Sequence, residues 1–187
     1  MKKIVLMAAF MVASIAASAQ VYVGGSLGLE SLKANKDAKT TTSFSIQPEI
    51  GYNLDENWAV GINLGFASTN DEGYFTVGNA TGVKSENTVS CFTIAPYARY
   101  TFAKTGIASF FVDGGISYTT YGSDAEGSSF GVGFRPGVKL TASKKVDFIA
   151  KLGYFGYQKN DDDLGGGEAI GLNIDNSSLS FGVLYNF

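Results

Sequence analysis

The chain has 187 residues, of which 14 are basic and 17 acidic, with no histidine and a single cysteine, Cys91. The acid excess argues against the one-sided basic footprint of a nucleic-acid binder. One cysteine leaves no intramolecular disulfide, and the absence of histidine argues against a structural zinc site.

Residues 1–19 differ from all that follows. Lys2 and Lys3 precede an apolar stretch from Ile4 to about Ala13, and small residues lead to Ala17-Ser18-Ala19 before Gln20. This is the pattern of a secretory signal peptide with an A-x-A-like cleavage site. No cysteine near that site offers a lipid acceptor. Cleavage leaves 12 basic and 17 acidic residues, and a single domain over residues 20–187. Beyond the leader no apolar run reaches the eighteen or so residues of a spanning helix, so membrane residence would require a closed sheet.

From residue 21 onward the apolar residues recur at every second position, as in two-faced strands. Eight such segments follow. The first spans about Val21 to Leu32. The third, about Trp58 to Ser68, alternates Trp58, Val60, Ile62, Leu64 and Phe66 with small or polar residues. The fifth, about Ser109 to Thr120, sets Phe110, Val112, Ile116 and Tyr118 against Asp113, Gly115, Ser117 and Thr119. The seventh, about Val146 to Gln158, sets Phe148, Ala150, Leu152 and Tyr154 against Asp147, Ile149, Lys151, Gly153 and Phe155. The second, fourth and sixth share one repeat, Phe44–Tyr52, Phe92–Tyr100 and Val132–Leu140, that carries all three prolines at the same slot. The eighth, Leu179–Phe187, places Phe181 there. Sheet prolines mark edges or bulges, so the repeat predicts a bulge or shortened ladder at Pro48, Pro96 and Pro136.

Short links at about 53–57, 103–107 and 141–145 alternate with long polar links at about 33–42, 69–87, 121–129 and 159–177. Eight antiparallel strands with short turns at one end and long loops at the other describe an up-and-down barrel. Its facing follows from size. An eight-stranded lumen is just wide enough for side chains to fill, so the small and charged face is expected inside and the aromatic face towards lipid. Aromatic residues collect near the short turns (Tyr52, Trp58, Tyr100, Phe110, Phe148, Tyr185) and near the long loops (Phe44, Phe66, Phe92, Tyr118, Tyr154), as interfacial girdles do.

With these features the chain resembles small eight-stranded outer-membrane barrels of the OmpA-barrel or OmpX type, often labelled porin family, from Gram-negative bacteria. The resemblance covers the whole mature chain and rests on the leader, the alternation, the loop pattern and the terminal Tyr185-Asn186-Phe187. It implies an all-β transmembrane barrel in the outer membrane, monomeric, in contact with lipid and lipopolysaccharide. It also implies that Phe187 forms part of the signal read by the barrel assembly machinery.

The inward charges Glu49, Arg99, Asp113, Arg135, Lys139 and Lys151 are the one constellation of chemical interest. Buried charges require partners, so these are expected to pair and to fill the lumen. The alternatives are a narrow porin-like channel through the same charges and, for a secreted chain, a lipocalin-like binder with the opposite facing. Enzymes on this fold resemble the chain in architecture only. A Ser-His-acid arrangement is ruled out without histidine, and no motif supports carboxylate or Ser-Lys chemistry. No cofactor or metal site is expected. The acid-rich Asp161–Glu168 stretch lacks EF-hand spacing and reads as a solvated loop. Asn79 and Asn176 match the N-glycosylation pattern by chance, and Cys91 reads as an inward packing residue. The long loops, with Tyr74, Phe75 and Val77 among polar residues, are where surface recognition or adhesion would reside.

Overall fold

A computed structural model describes residues 20–32, 41–70, 89–123, 127–164, 166–173 and 180–187. Residues 1–19, Tyr74, Phe75, Val77, Asn79 and Asn176 lie outside these residues.

The strands are β1 (Val21–Leu32), β2 (Thr41–Asn53), β3 (Trp58–Asn70), β4 (Val89–Thr105) and β5 (Ala108–Ser123). They continue as β6 (Gly127–Thr141), β7 (Val146–Lys151), β8 (Tyr154–Asn160), β9 (Gly167–Asn173) and β10 (Ser180–Asn186). Each pairs antiparallel with its chain neighbours from β1 to β7. β10 then pairs with both β7 and β1, which closes the ring. β8 and β9 extend the seventh and eighth staves towards the loop end, β8 alongside β6 and β9 alongside β8. The result is the expected eight-stave, up-and-down barrel.

Alternation sets the facing. Trp58, Val60, Phe66, Phe92, Ile94, Phe110, Tyr118 and Phe148 are exposed on the outer surface, while Glu49, Thr93, Arg99, Asp113, Ser117, Thr119, Asp147 and Lys151 are buried inside. A belt of exposed aromatic and aliphatic side chains around a polar interior suits a lipid solvent and is the reverse of a lipocalin. The short-turn aromatics Tyr52, Trp58, Tyr100, Phe110, Phe148 and Tyr185 all lie on this outer face. Trp58 and Tyr100, cross-strand partners, bring their rings to 4.8 Å. At the terminus the Phe187 N–H donates to the Val21 carbonyl.

Two of the short turns are built alike. In 54–57 the Asp55 carboxylate accepts from the N–H groups of Asn57 and Trp58, and in 142–145 the Ser143 hydroxyl accepts from those of Lys145 and Val146. These are the side-chain-to-backbone bonds that make Asp and Ser good turn formers. The third, Gly106-Ile107, is a two-residue hairpin turn in which Gly106 takes φ +52°.

All three prolines are exposed on the outer face, and each interrupts its ladder on one flank only. Pro48, Pro96 and Pro136 remain in register with Gly25, Ile62 and Val112 of the preceding strands. Towards the following strand, pairing skips from Ile46↔Phe66 to Glu49↔Asn63 and from Ile94↔Tyr118 to Tyr97↔Gly115. In an antiparallel strand a residue's N–H and C=O point to the same neighbour. The missing N–H therefore removes pairing on that side alone. At Pro136 the interruption becomes a bulge: Leu152 donates to the Pro136 carbonyl, Gly153 turns to φ +67°, and the partner strand resumes one residue out of step.

That bulge corrects the parity expected for the seventh stave. Beyond it Phe155, not Tyr154, faces outward, and the Tyr154 ring lies over Gly133 and Gly156 inside. Two expected loops are also shorter than anticipated. β5 and β6 remain paired to Tyr121↔Gly127. The stretch 159–177 contains the end of β8, a 3-10 turn at Asp162–Leu164, and β9. In the first stretch Tyr121 and Ser129 are buried strand positions, while in the second the acids sit in the 3-10 turn and in an outer-surface Lys159–Glu168 pair, so strand residues in both imitate the composition of a loop.

Candidate functional site: the lumenal charge cluster

Four of the six anticipated charges meet at one point inside the barrel. Arg99 and Asp113 are direct cross-strand partners on β4 and β5. The guanidinium clasps the carboxylate with Nε at 2.7 Å from Oδ1 and Nη2 at 2.8 Å from Oδ2. Nη2 also donates to Glu49 Oε1 at 2.9 Å, reaching across β3 to β2. Lys151, from β7 on the far wall, donates to Glu49 Oε2 at 2.7 Å and lies 3.4 Å from Asp113 Oδ2. All four side chains are buried, and every carboxylate oxygen has a cationic partner. Such satisfaction is the condition under which buried ions are tolerated.

Of the other two anticipated charges, one adjoins this quartet and one lies away from it. Arg135 faces Asp113 across β5 and β6 and lines the space on the loop side. Lys139 lies nearer the short turns, 3.7 Å from Asp147, whose carboxylate also accepts from the Asn186 amide.

Sequence reasoning did not pick out the aromatic residues that complete the cluster. The Tyr97 hydroxyl donates to Glu49 Oε1 at 2.6 Å and shares a 2.7 Å hydrogen bond with the Tyr22 hydroxyl. The Arg99 guanidinium lies 4.2 Å from the centroid of Phe111 and 5.2 Å from that of Tyr97, within cation–π range. The expectation that the lumen excludes large rings is therefore corrected: Tyr22, Tyr97, Phe111, Tyr121 and Tyr154 all point inward. Glycines make the room. A Cβ on Gly51 would lie 2.2 Å from the Tyr22 ring, and one on Gly61 would lie 2.5 Å from the Tyr97 hydroxyl. The available signal was parity, since Tyr97 and Phe111 occupy inward positions next to Arg99 and Asp113.

The quartet stands between two chambers. Arg99 and Tyr22 border a chamber of about 110 Å³ at the short-turn end, with Asn53, Lys104, Lys139 and Asn186. Asp113, Lys151 and Tyr97 border a narrower one of about 50 Å³ towards the loops, with Gln47, Asn63, Thr93 and Arg135. Cys91 is buried in the wall opposite Ala67 and Tyr121. Among the described residues no three potential metal ligands converge. In the acid-rich turn, Asp161 accepts from Ser128 and from the Asp163 N–H, while Glu168 pairs with Lys159 on the outer surface.

A closed barrel with an apolar exterior and a charged, hydrogen-bonded interior defines an integral membrane barrel protein. Residues 4–187 match the family model for the outer membrane protein beta-barrel domain, and the chain belongs to that family. The outer membrane is accordingly its location. Among solved structures it is similar to Neisserial surface protein A, at 17% identity over 91% of this chain and 98% of that one, with a TM-score of 0.48. No curated protein matches it significantly.

Proposed function

We propose that the protein is a non-enzymatic outer-membrane barrel whose lumen is plugged by the Glu49–Arg99–Asp113–Lys151 quartet. In this reading its task is to hold the loop end at the cell surface for structural or recognition roles. The observation that carries it is the complete pairing of the quartet between the two chambers. Ions paired at 2.7 to 2.9 Å in a low-dielectric barrel attract each other far more strongly than a passing hydrated ion attracts either. The absence of histidine removes the usual general base, which supports a role without catalysis.

The competing reading is a narrow channel in which the quartet parts to join the two chambers. Planar-bilayer recording on the refolded protein separates the two. A plug gives no steady unitary current in potassium chloride. Steady currents in the wild type that change in size or selectivity when Glu49→Gln or Arg99→Met is introduced refute it.

A further inference from the structure

The rim at the short-turn end is unequal around its circumference. On the β6–β7 side the apolar surface stops at Phe148 and Tyr185, and exposed Ser143, Lys144 and Lys145 follow at once. Lys145 lies with its Nζ 5.5 Å from the Tyr185 ring centroid and 3.3 Å from its hydroxyl, so the positive charge sits on the outer face at girdle level. On the β3–β5 side apolar surface continues past the girdle residues Trp58 and Tyr100. Phe102, 59% exposed, stands where the bulge between Thr101 and Ala103 adds a residue to β4. Ile107, 70% exposed, occupies the hairpin tip, and Leu54, 52% exposed, lies on the neighbouring turn. At about 3.4 Å per residue and a strand tilt near 40°, the tip lies roughly 10 Å beyond Tyr100.

The charged groups on this side are exposed but gather round the mouth of the lumen. Asp55, Glu56 and Lys104 line the short-turn chamber, and Lys104 donates to the Glu56 carbonyl. The outer face of the β4–β5 hairpin thus continues the lipid-facing belt with no charge and Thr105 as its polar residue, whereas that of the β6–β7 hairpin turns cationic.

We infer that this apolar rim is a lipid-binding surface: the β4–β5 hairpin is immersed to its tip in the leaflet at the short-turn end, and the barrel axis leans to that side. Lys144 and Lys145, a quarter-turn round the ring on the β6–β7 hairpin, stay in water, because there the charged turn follows directly on the girdle. Lipid is the occupant because the patch is continuous with a belt already solvated by lipid and has been cleared of charge on its outer side. A water-soluble partner would leave the junction between patch and belt unexplained.

The chain has one tryptophan, Trp58, which permits a direct test. In a Trp58→Phe background, Ile107→Trp, Phe102→Trp and Lys144→Trp reporters are placed singly. Each is refolded into phosphatidylcholine vesicles with bromine at defined acyl depths, and folding is checked by heat-modifiable migration. Immersion predicts blue-shifted emission at 107 and 102, quenched by shallow bromines as strongly as native Trp58. It also predicts red-shifted emission at 144, quenched by aqueous iodide. Red-shifted, iodide-quenched emission at both 107 and 102 overturns the inference. Emission that is blue-shifted but insensitive to bromine, and that changes on dilution with excess lipid, also overturns it by assigning the patch to a second copy of the chain. The Phe102→Trp reporter decides the matter alone should Ile107→Trp fail to fold.

Discussion

Replacing Arg99 with methionine tests the energetic account of the cluster most directly. Methionine keeps the length and apolar stem but removes three charged hydrogen bonds at 2.7, 2.8 and 2.9 Å. It also removes the cation stacked 4.2 Å from Phe111. Asp113 would retain Lys151 at 3.4 Å beside the facing Arg135, and Glu49 would retain Lys151 and Tyr97. Removing one partner from a buried ion pair costs about 3–5 kcal/mol, because the partner charge remains buried. With a urea dependence near 2–3 kcal/mol per molar, the unfolding midpoint should fall by roughly 1–2 M. The assay is urea titration in lipid vesicles followed by Trp58 emission. Asp113→Asn added to Arg99→Met should restore part of the loss, since the stranded charge is then gone. A loss below about 1 kcal/mol, the value of an exposed pair, or strict additivity of the two substitutions, would refute the reasoning.

Other outcomes follow from the same geometry. Gly61→Ala brings a methyl to 2.5 Å from the Tyr97 hydroxyl and 2.7 Å from the Ile50 carbonyl, so overpacking should cost about 1–3 kcal/mol; Tyr97→Phe should relieve part of it in a double-mutant cycle. The Asn57 N–H, with that of Trp58, holds the Asp55 carboxyl below its ordinary value. Asp55 therefore stabilises the turn above the unfolded carboxylate range near pH 4 and loses that contribution as pH falls through the depressed value. The difference in urea midpoint between wild type and Asp55→Ala should accordingly be present at pH 7 and shrink towards pH 3. For the seventh stave, Phe155→Lys should destabilise by up to about 2–4 kcal/mol, the cost of a lipid-facing charge, while Tyr154→Lys, on the lumen side, should cost much less; equal losses would contradict the parity set by Gly153.

Much of the fold was legible because lipid outside and a narrow lumen inside impose opposite demands on alternate residues. Trp58, Val60 and Phe66 against Ala59, Gly61 and Ala67 show this most clearly, and the observed facing follows them. The proline slot was legible in kind, since a missing N–H must interrupt some ladder, though which flank it would affect was not. The seventh stave failed where one extra residue at Leu152-Gly153 reversed the phase, a change that alternation alone cannot register. The loop reading of 159–177 failed because its strand residues, the exposed Lys159–Glu168 pair among them, flank an acidic turn and are as polar and glycine-rich as a loop.

For the cluster, parity was enough to place Glu49, Arg99, Asp113, Arg135, Lys139 and Lys151 inside. Parity carries no information about which of them meet. That depends on how far each strand is staggered against the next and on where the ring closes. Stagger brings Lys151 to Glu49 across 102 positions of sequence, leaves Lys139 with Asp147, and lays Phe111 beneath Arg99. The period-2 pattern by itself thus determined that this chain is a barrel and which face meets lipid, because each residue's solvent is settled locally. Only the closed tertiary structure decided the ion pairs and the rings that complete them, because those contacts join strands whose relative height no local rule sets.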